Sequence, residues 1–231
     1  MRFLLSIFAA GIAYGQSFSP PLVGMARDET NRLRPVYGMA GNFIAGQAAG
    51  EEVVSMAFSG KAGIAKTETQ LLLLDESGVA VTRYPAPPGT ALFAFGADGM
   101  PAFCYFESTG ELWRIAANTL DPVKTAELEQ DDEALALSAV DGLVRLISRK
   151  TLGQTDGPVL AIAGGLLRAA GKGLLWQPDG ASQIEISIAG EVRSLEQIGD
   201  GWVRVAASEG DFALRIPTGM LYRLPRAGTP K

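Results

Sequence analysis

Three observations predict an all-β fold. Short apolar runs punctuated by glycine turns recur five times between Val53 and Pro225. Turns such as Asp98-Gly99, Asp141-Gly142 and Asp179-Gly180 are short and join only antiparallel neighbours, because a parallel crossover needs about a dozen residues or more. Several runs, including 71–74 (LLLL) and 91–95 (ALFAF), are apolar at consecutive positions, so both faces of the strand must be covered, whereas a simple sandwich strand would alternate. Small antiparallel sheets stacked face to face around an axis meet all three demands, and units of about 35 to 45 residues have the length of a propeller blade. The predicted architecture is a β-propeller of five four-stranded blades.

The first unit takes strands at 53–59, 62–66, 71–75 and 79–84, closed by Pro85-Ala86-Pro87-Pro88-Gly89. The second takes 91–96, 101–107, 111–116 and 123–128, with turns at Ala97-Asp98-Gly99 and Ser108-Thr109-Gly110. Asp121-Pro122 also fits a helix start, since Asp is a good N-cap and Pro is favoured at the first helical position; repeat register selects the strand. A third unit uses 134–140, 143–149 and 159–163 around a polar loop at 151–158, and a fourth uses 166–170, 173–177, 183–188 and 191–198. The fifth, 202–208, 212–216 and 220–224, is one strand short. Upstream, Leu33-Arg34-Pro35-Val36-Tyr37 has no partner in the first unit, so it is expected to pair with 220–224, complete the last blade and leave no open sheet edge there.

The organisation along the chain is therefore a signal peptide at 1–15, a polar lead-in at 16–32, the propeller at 33–226 and a tail at 227–231. Arg2, the apolar run 3–10 and the small-x-small triplet Ala13-Tyr14-Gly15 make a bacterial-type export signal cleaved between Gly15 and Gln16. The expected location is periplasmic or extracellular. No later stretch reaches the roughly 20 apolar residues of a membrane span, so no integral span is expected. The single cysteine, Cys104, cannot form an intramolecular disulfide, and its run Ala102-Phe103-Cys104-Tyr105-Phe106 marks it as a buried structural thiol.

Composition narrows the function classes. At 47% hydrophobic and 19% charged residues the chain of 231 suits a packed domain rather than a disordered one. A formal net charge of −5 and the lack of a basic cluster argue against nucleic acid as a partner. The blade-like stretch ALFAFGADGMPAFCYFESTGELWRI resembles secreted β-propeller repeat proteins as a broad class. Neither a Gly-His and Trp-Asp pair nor a kelch double glycine recurs, so no named repeat family lends an active site.

Chemistry is constrained mainly by exclusion. The chain has no histidine, which removes Ser-His-Asp and Cys-His nucleophile activation and histidine zinc sites, and one cysteine cannot build a thiolate cluster. Phe58-Ser59-Gly60-Lys61-Ala62 lacks the first glycine and the Ser or Thr of a phosphate loop, and Gly171-Lys172-Gly173 is a tight turn. The acidic run Glu127, Glu129, Asp131, Asp132 and Glu133 lacks calcium-loop spacing and is expected to be a solvated loop. No catalytic residue, metal ligand or cofactor is assigned.

Arginine ends a series of apolar pairs, including Leu166-Leu167-Arg168 and Trp202-Val203-Arg204. If Arg168 and Arg204 lie on innermost strands, they line the axial channel and take an anionic ligand. Trp113, Trp176 and Trp202 are expected to pack blades rather than form a sugar platform. The expected function is an exported, non-catalytic binding or scaffold module of the cell envelope for a protein or glycan ligand, engaged by rim loops at 85–89, 130–133 and 151–158. The alternatives are a carbohydrate-active hydrolase using Asp or Glu pairs and a structural subunit of a surface assembly. Oligomeric state has no signature in the sequence.

Overall fold

The computed structural model describes residues 20–225 except 40, 97, 117–118, 124–131, 154, 156, 163 and 217. Consecutive apolar residues behave as their pattern demands. In β7 (Gln70–Leu74), Leu71 and Leu73 enter one apolar cluster and Leu72 and Leu74 the cluster on the opposite face. All five residues of β10 (Ala102–Phe106) are buried. Burial at both faces is what stacked sheets supply.

Among the described residues the strands form six antiparallel sheets, five of four strands and one of two. The second sheet is β5 (Ser55–Phe58), β6 (Gly63–Lys66), β7 and β8 (Ala80–Pro85). β9 (Ala91–Phe95), β10, β11 (Glu111–Ala116) and β12 (Thr119–Val123) make the third. The fourth holds only β13 (Ala134–Val140) and β14 (Leu143–Ser148), followed by the single helical turn α1 (Arg149–Leu152). The fifth is β15 (Val159–Ile162), β16 (Gly165–Ala170), β17 (Gly173–Pro178) and β18 (Ile184–Ser187). The sixth is β19 (Val192–Gly199), β20 (Trp202–Ala207), β21 (Gly210–Arg215) and β22 (Met220–Arg223).

The first sheet is irregular. β2 (Arg32–Met39) pairs on one side with β1 (Leu22–Arg27), and its other side is shared by β3 (Asn42–Ala45) and β4 (Ala49–Glu52).

Apolar clusters join neighbouring sheets into a ring, a β-propeller. Met25 and Leu72 share the cluster between the first and second sheets, Ile64 and Phe93 that between the second and third. Phe103 and Leu137 link the third to the fourth, Leu167 and Val203 the fifth to the sixth, and Ile198 and Phe43 the sixth to the first. Among the described residues no such cluster joins the fourth sheet to the fifth.

The ring does not close as the sequence led us to expect. Val36 and Tyr37 pair within the first sheet, with Gly24 and Leu22 on one side and Ala45 and Ile44 on the other, while among the described residues β22 pairs only with β21. The last blade needs no borrowed strand, because β19 is its own inner strand. Counting in fours slipped by one at the two-stranded fourth sheet: Val159–Ile162 opens the fifth sheet rather than ending the third unit. Closure instead comes from packing of the N-terminal sheet. Gly24 on β1 lies so close to β19 that a Cβ there would sit 1.5 Å from the Ile198 carbonyl oxygen, and one on Gly199 would sit 2.1 Å from that of Val23.

Two further expectations shift. The lead-in read at 16–32 contains β1, whose Gly24, Met25 and Ala26 are buried, so the fold begins earlier than residue 33. Asp121 and Pro122 neither cap a helix nor precede a strand: both lie within β12, opposite Arg114 and Trp113. Proline is tolerated there because β12 is an outer strand. The predicted strand at 123–128 falls, beyond Val123, outside the described residues, as do Gly15, Gln16 and the tail.

Candidate functional site

The innermost strands define an axial cavity with two mouths. Six strands line a cavity of about 460 Å³, through Arg27, Ser55, Ala91, Ala136, Val159 and Arg193 among others. Ser59, just past the end of β5, and Phe95, Ser138, Ile162 and Gln197, toward the far ends of β9, β13, β15 and β19, line a second cavity of about 280 Å³. Five inner strands therefore run in the same direction, from a near mouth to a far one. β1 runs against them, since its last residue, Arg27, reaches the near mouth.

This direction fixes where the loops lie. The segments 86–90, 132–133 and 153–158 each lead into the first residue of an inner strand, so all belong to the near rim. The three loops singled out in the sequence thus share one side of the ring wherever they are described; residues 130, 131, 154 and 156 are outside the description.

Arg204 and Arg168 both lie on second strands, β20 and β16, not on innermost ones. The expectation that they line the channel fails because each sheet begins one strand earlier than the sequence register placed it. Arg204 is buried and its charge is consumed: Nη1 donates to Glu196 Oε2 at 2.8 Å, and Nε and Nη2 donate to Asp211 Oδ2 at 2.9 and 2.6 Å. Burial alone would push its pKa down, but Glu196 and Asp211 outweigh that and hold it above the ordinary value. Arg168 is half-buried between Val159 and Leu175, and has no ion pair among the described residues.

The channel arginines that sequence reasoning missed are Arg27 and Arg193. Arg27 Nη1 donates to the Val54 carbonyl at 2.6 Å, and Nη2 lies 2.6 Å from Glu196 Oε1 in an ion contact without hydrogen-bond alignment. A continuous chain, Arg27 to Glu196 to Arg204 to Asp211, thereby runs from the near mouth outward through the sixth sheet. Arg193 is exposed at the mouth with no partner among the described residues. Only its position on an inner strand distinguishes it from other arginines, and that position requires the register.

The carboxylates facing the near cavity are Glu107 and Glu196. Glu196 is held between two guanidiniums, and Glu107 accepts a hydrogen bond from the Thr90 hydroxyl. Asp98 and Asp200 stand at the far mouth with Lys61. Among the described residues no group of three or more Cys, Asp or Glu is placed to hold a metal ion. Of the acidic run, Asp132 Oδ1 accepts from the Lys150 amide at 3.0 Å and Glu133 pairs with Arg149 at 2.7 Å, which ties both to α1.

The tryptophans pack blades. Trp113 meets Phe106 edge to face at 4.7 Å, Trp176 is buried, and Trp202 packs against Phe43 under the Arg215 guanidinium. None of them lines either mouth. Among the described residues no helix is long and apolar enough to cross a membrane.

No protein-family model matches the chain, and no curated protein matches it. Solved structures do. The WD40 domain of Pan2 from Neurospora crassa aligns over 90% of this chain and 81% of its own, at 11% identity and a TM-score of 0.46. PorZ, a surface component of the type-IX secretion system of Porphyromonas gingivalis, aligns over 90% of this chain at 14% identity and a TM-score of 0.48, and the chain spans 39% of that protein. At such identities the likeness concerns the fold alone, and the propeller assignment stands on the strand order and the ring of clusters above.

Proposed function

We propose that this chain is an exported, non-catalytic propeller that works as a binding or scaffold module, engaging its ligand at the near rim. The observation that carries the reading is the convergence of the loops at 86–90, 132–133 and 153–158 on one rim, around a cavity of about 460 Å³ with Arg193 exposed at its edge. Loops on a rigid ring are the parts free to vary without disturbing the core. The paired ions behind them, Arg27 with Glu196 and Arg204 with Asp211, brace the rim rather than offer open valences. Export is supported by Arg2, the apolar run 3–10 and the Ala13-Tyr14-Gly15 triplet.

Photo-crosslinking residues introduced singly at Pro88, Asp132 and Arg193 should trap one common partner in the exported fraction, while the same probe at Lys61, Asp98 and Asp200 should not. Equal trapping from both mouths would remove the rim from consideration. Turnover of a glycan by the purified protein, lost in Glu107→Gln with the fold intact, would replace the binding module by a hydrolase. Intact-mass analysis of the exported protein should give a chain beginning at Gln16, and a mass that includes Met1 would sink the export signal.

A further inference from the structure

Among the described residues the fourth sheet stops two strands short of the other five, and nothing among them covers its outer strand. Every other outer strand is blunted: β8 and β12 contain proline, and β3, β4, β18 and β22 are four residues long. β14, sequence LVRLIS, is six residues long with a single charge, Arg145, and Leu143 is 78% exposed. Beyond it lies the one seam of the ring with no apolar cluster among the described residues. A groove of about 820 Å³ opens there, walled by Leu143, Arg145 and Ile147 on one side and Ala161 and Leu166 on the other.

The backbone of β14 specifies what fits. Asp141 and Gly142 both have positive φ, 50° and 77°, in a two-residue hairpin loop, so the flanking pair Val140 and Leu143 is the hydrogen-bonded one. Alternation then turns the amides and carbonyls of Arg145 and Ile147 toward β13, and those of Val144 and Leu146 outward. Arg149 donating its amide to the Glu133 carbonyl continues the same phase. Among the described residues nothing pairs with the outward groups.

We propose that this seam binds an extended strand of a partner protein, which adds antiparallel to β14 and carries an acidic residue opposite Arg145. Charge selects this occupant. Arg145 has no ion pair among the described residues, and Arg168, on the face of β16 that alternates with its buried Leu167 and Ala169, looks into the same seam from the other wall. Asp141 and Asp179 line the hairpin end of the groove. A strand antiparallel to β14 runs toward that end, so its acidic residue is followed about four positions later by a basic one. Both faces of the added strand are covered, by the third sheet on one side and the fifth on the other, so its neighbouring residues are apolar. A second copy of the chain is disfavoured: the two-fold register that pairs Val144 with Leu146 sets Arg145 directly against its own counterpart, a repulsive arrangement. The alternative register, centred on Leu146, needs the backbone of Ser148, which is already tied to Thr151.

This surface is separate from the near rim, so either reading can fail alone. The test is selection of a displayed nonapeptide library on the whole protein, followed by affinity measurement on SVVEVITKS and its counterpart with lysine in place of the glutamate. The expected consensus is apolar around one acidic residue, and the glutamate peptide should bind about tenfold tighter than the lysine one, with the order reversed in Arg145→Glu. N-methylation of the two valines flanking the glutamate should abolish binding, and the Val144 and Leu146 amides should exchange at least about tenfold more slowly in the complex. No consensus, no acidic preference, or binding indifferent to N-methylation overturns the proposal. Concentration-dependent dimerisation without peptide, lost in Val144→Pro with the monomer still folded, would assign the seam to a second copy and overturn it as well.

Discussion

Glu196 serves two guanidiniums, one from the first blade and one from its own. Taking this buried carboxylate away from both leaves Arg27 and Arg204 without their compensating charge in a place water reaches poorly, so Glu196→Ala should destabilise the fold by about 3–5 kcal/mol. Arg168→Ala, which breaks no ion pair among the described residues, should cost less than about 1 kcal/mol. Urea midpoints of the two variants check the contrast, and equal losses would mean the arginine chain does not brace the ring.

Lys66 is the other buried ion. It is fully buried, and Nζ donates to the carbonyls of Thr67 and Glu68 at 2.6 and 2.9 Å. Burial lowers its pKa from the ordinary 10.5, against the opposing pull of Glu68. With the folded pKa depressed, the unfolded chain binds the extra proton in the interval up to 10.5, so this residue's contribution to stability improves as pH rises through the folded value. Wild type should therefore gain on Lys66→Met between pH 7 and about 10, measured as the difference in unfolding free energy. A gap that stays constant or moves the other way would mean the charge costs nothing in the fold. Neighbouring Cys104 stays a thiol throughout, because burial pushes its pKa up.

At the scale of elements, β1 and β19 meet backbone to backbone, and glycine makes the meeting possible. Gly24→Ala would put a methyl carbon against the Ile198 carbonyl, with backbone rather than a flexible side chain in the way, and should cost about 3 kcal/mol or more. Gly41→Ala is the control: φ is +90° with open space around it, so only conformational strain of about 1 kcal/mol is expected. Thermal melts separate the two, and similar shifts would place the close approach elsewhere. This contact was not legible beforehand. Leu22-Val23-Gly24-Met25-Ala26 is apolar, but Pro20-Pro21 before it and the mixed charge of 27–32 after it read as a lead-in, and no local pattern announces that a strand will pack backbone to backbone on one 175 residues later.

For the whole molecule, the ring is closed by a sheet packed between its first and last regular blades. Met25 and Leu33 bury against the second sheet, and Ala26, Val36 and Phe43 against the sixth. Deleting residues 16–30 removes β1 and uncovers both clusters, so the truncated protein should aggregate or bind an apolar dye where the full chain does not. Read as a lead-in, the same segment would be dispensable. Size-exclusion chromatography decides between them, and an unchanged monomer peak for the truncation would count against closure by the first sheet.

The sequence by itself determined the class of fold and the position of most strands, because those depend on short-range signals. Runs such as 91–95 and 102–106 must be covered on both faces whatever surrounds them, and Asp141-Gly142 permits only a tight reversal. Its polar sites were legible only as residue types: arginine was singled out, but Arg204 proved to be paired, and Arg27 and Arg193 are the arginines at the near mouth. Strand-to-blade assignment was left to the tertiary structure, since a two-stranded sheet looks locally like half of a four-stranded one and shifts every later unit by one strand. Which arginine faces the axis, which is spent on Glu196 and which seam stays open all follow from that shift. Those are properties of which strand lies innermost, and that is settled by packing between residues far apart in the chain rather than by any pattern within it.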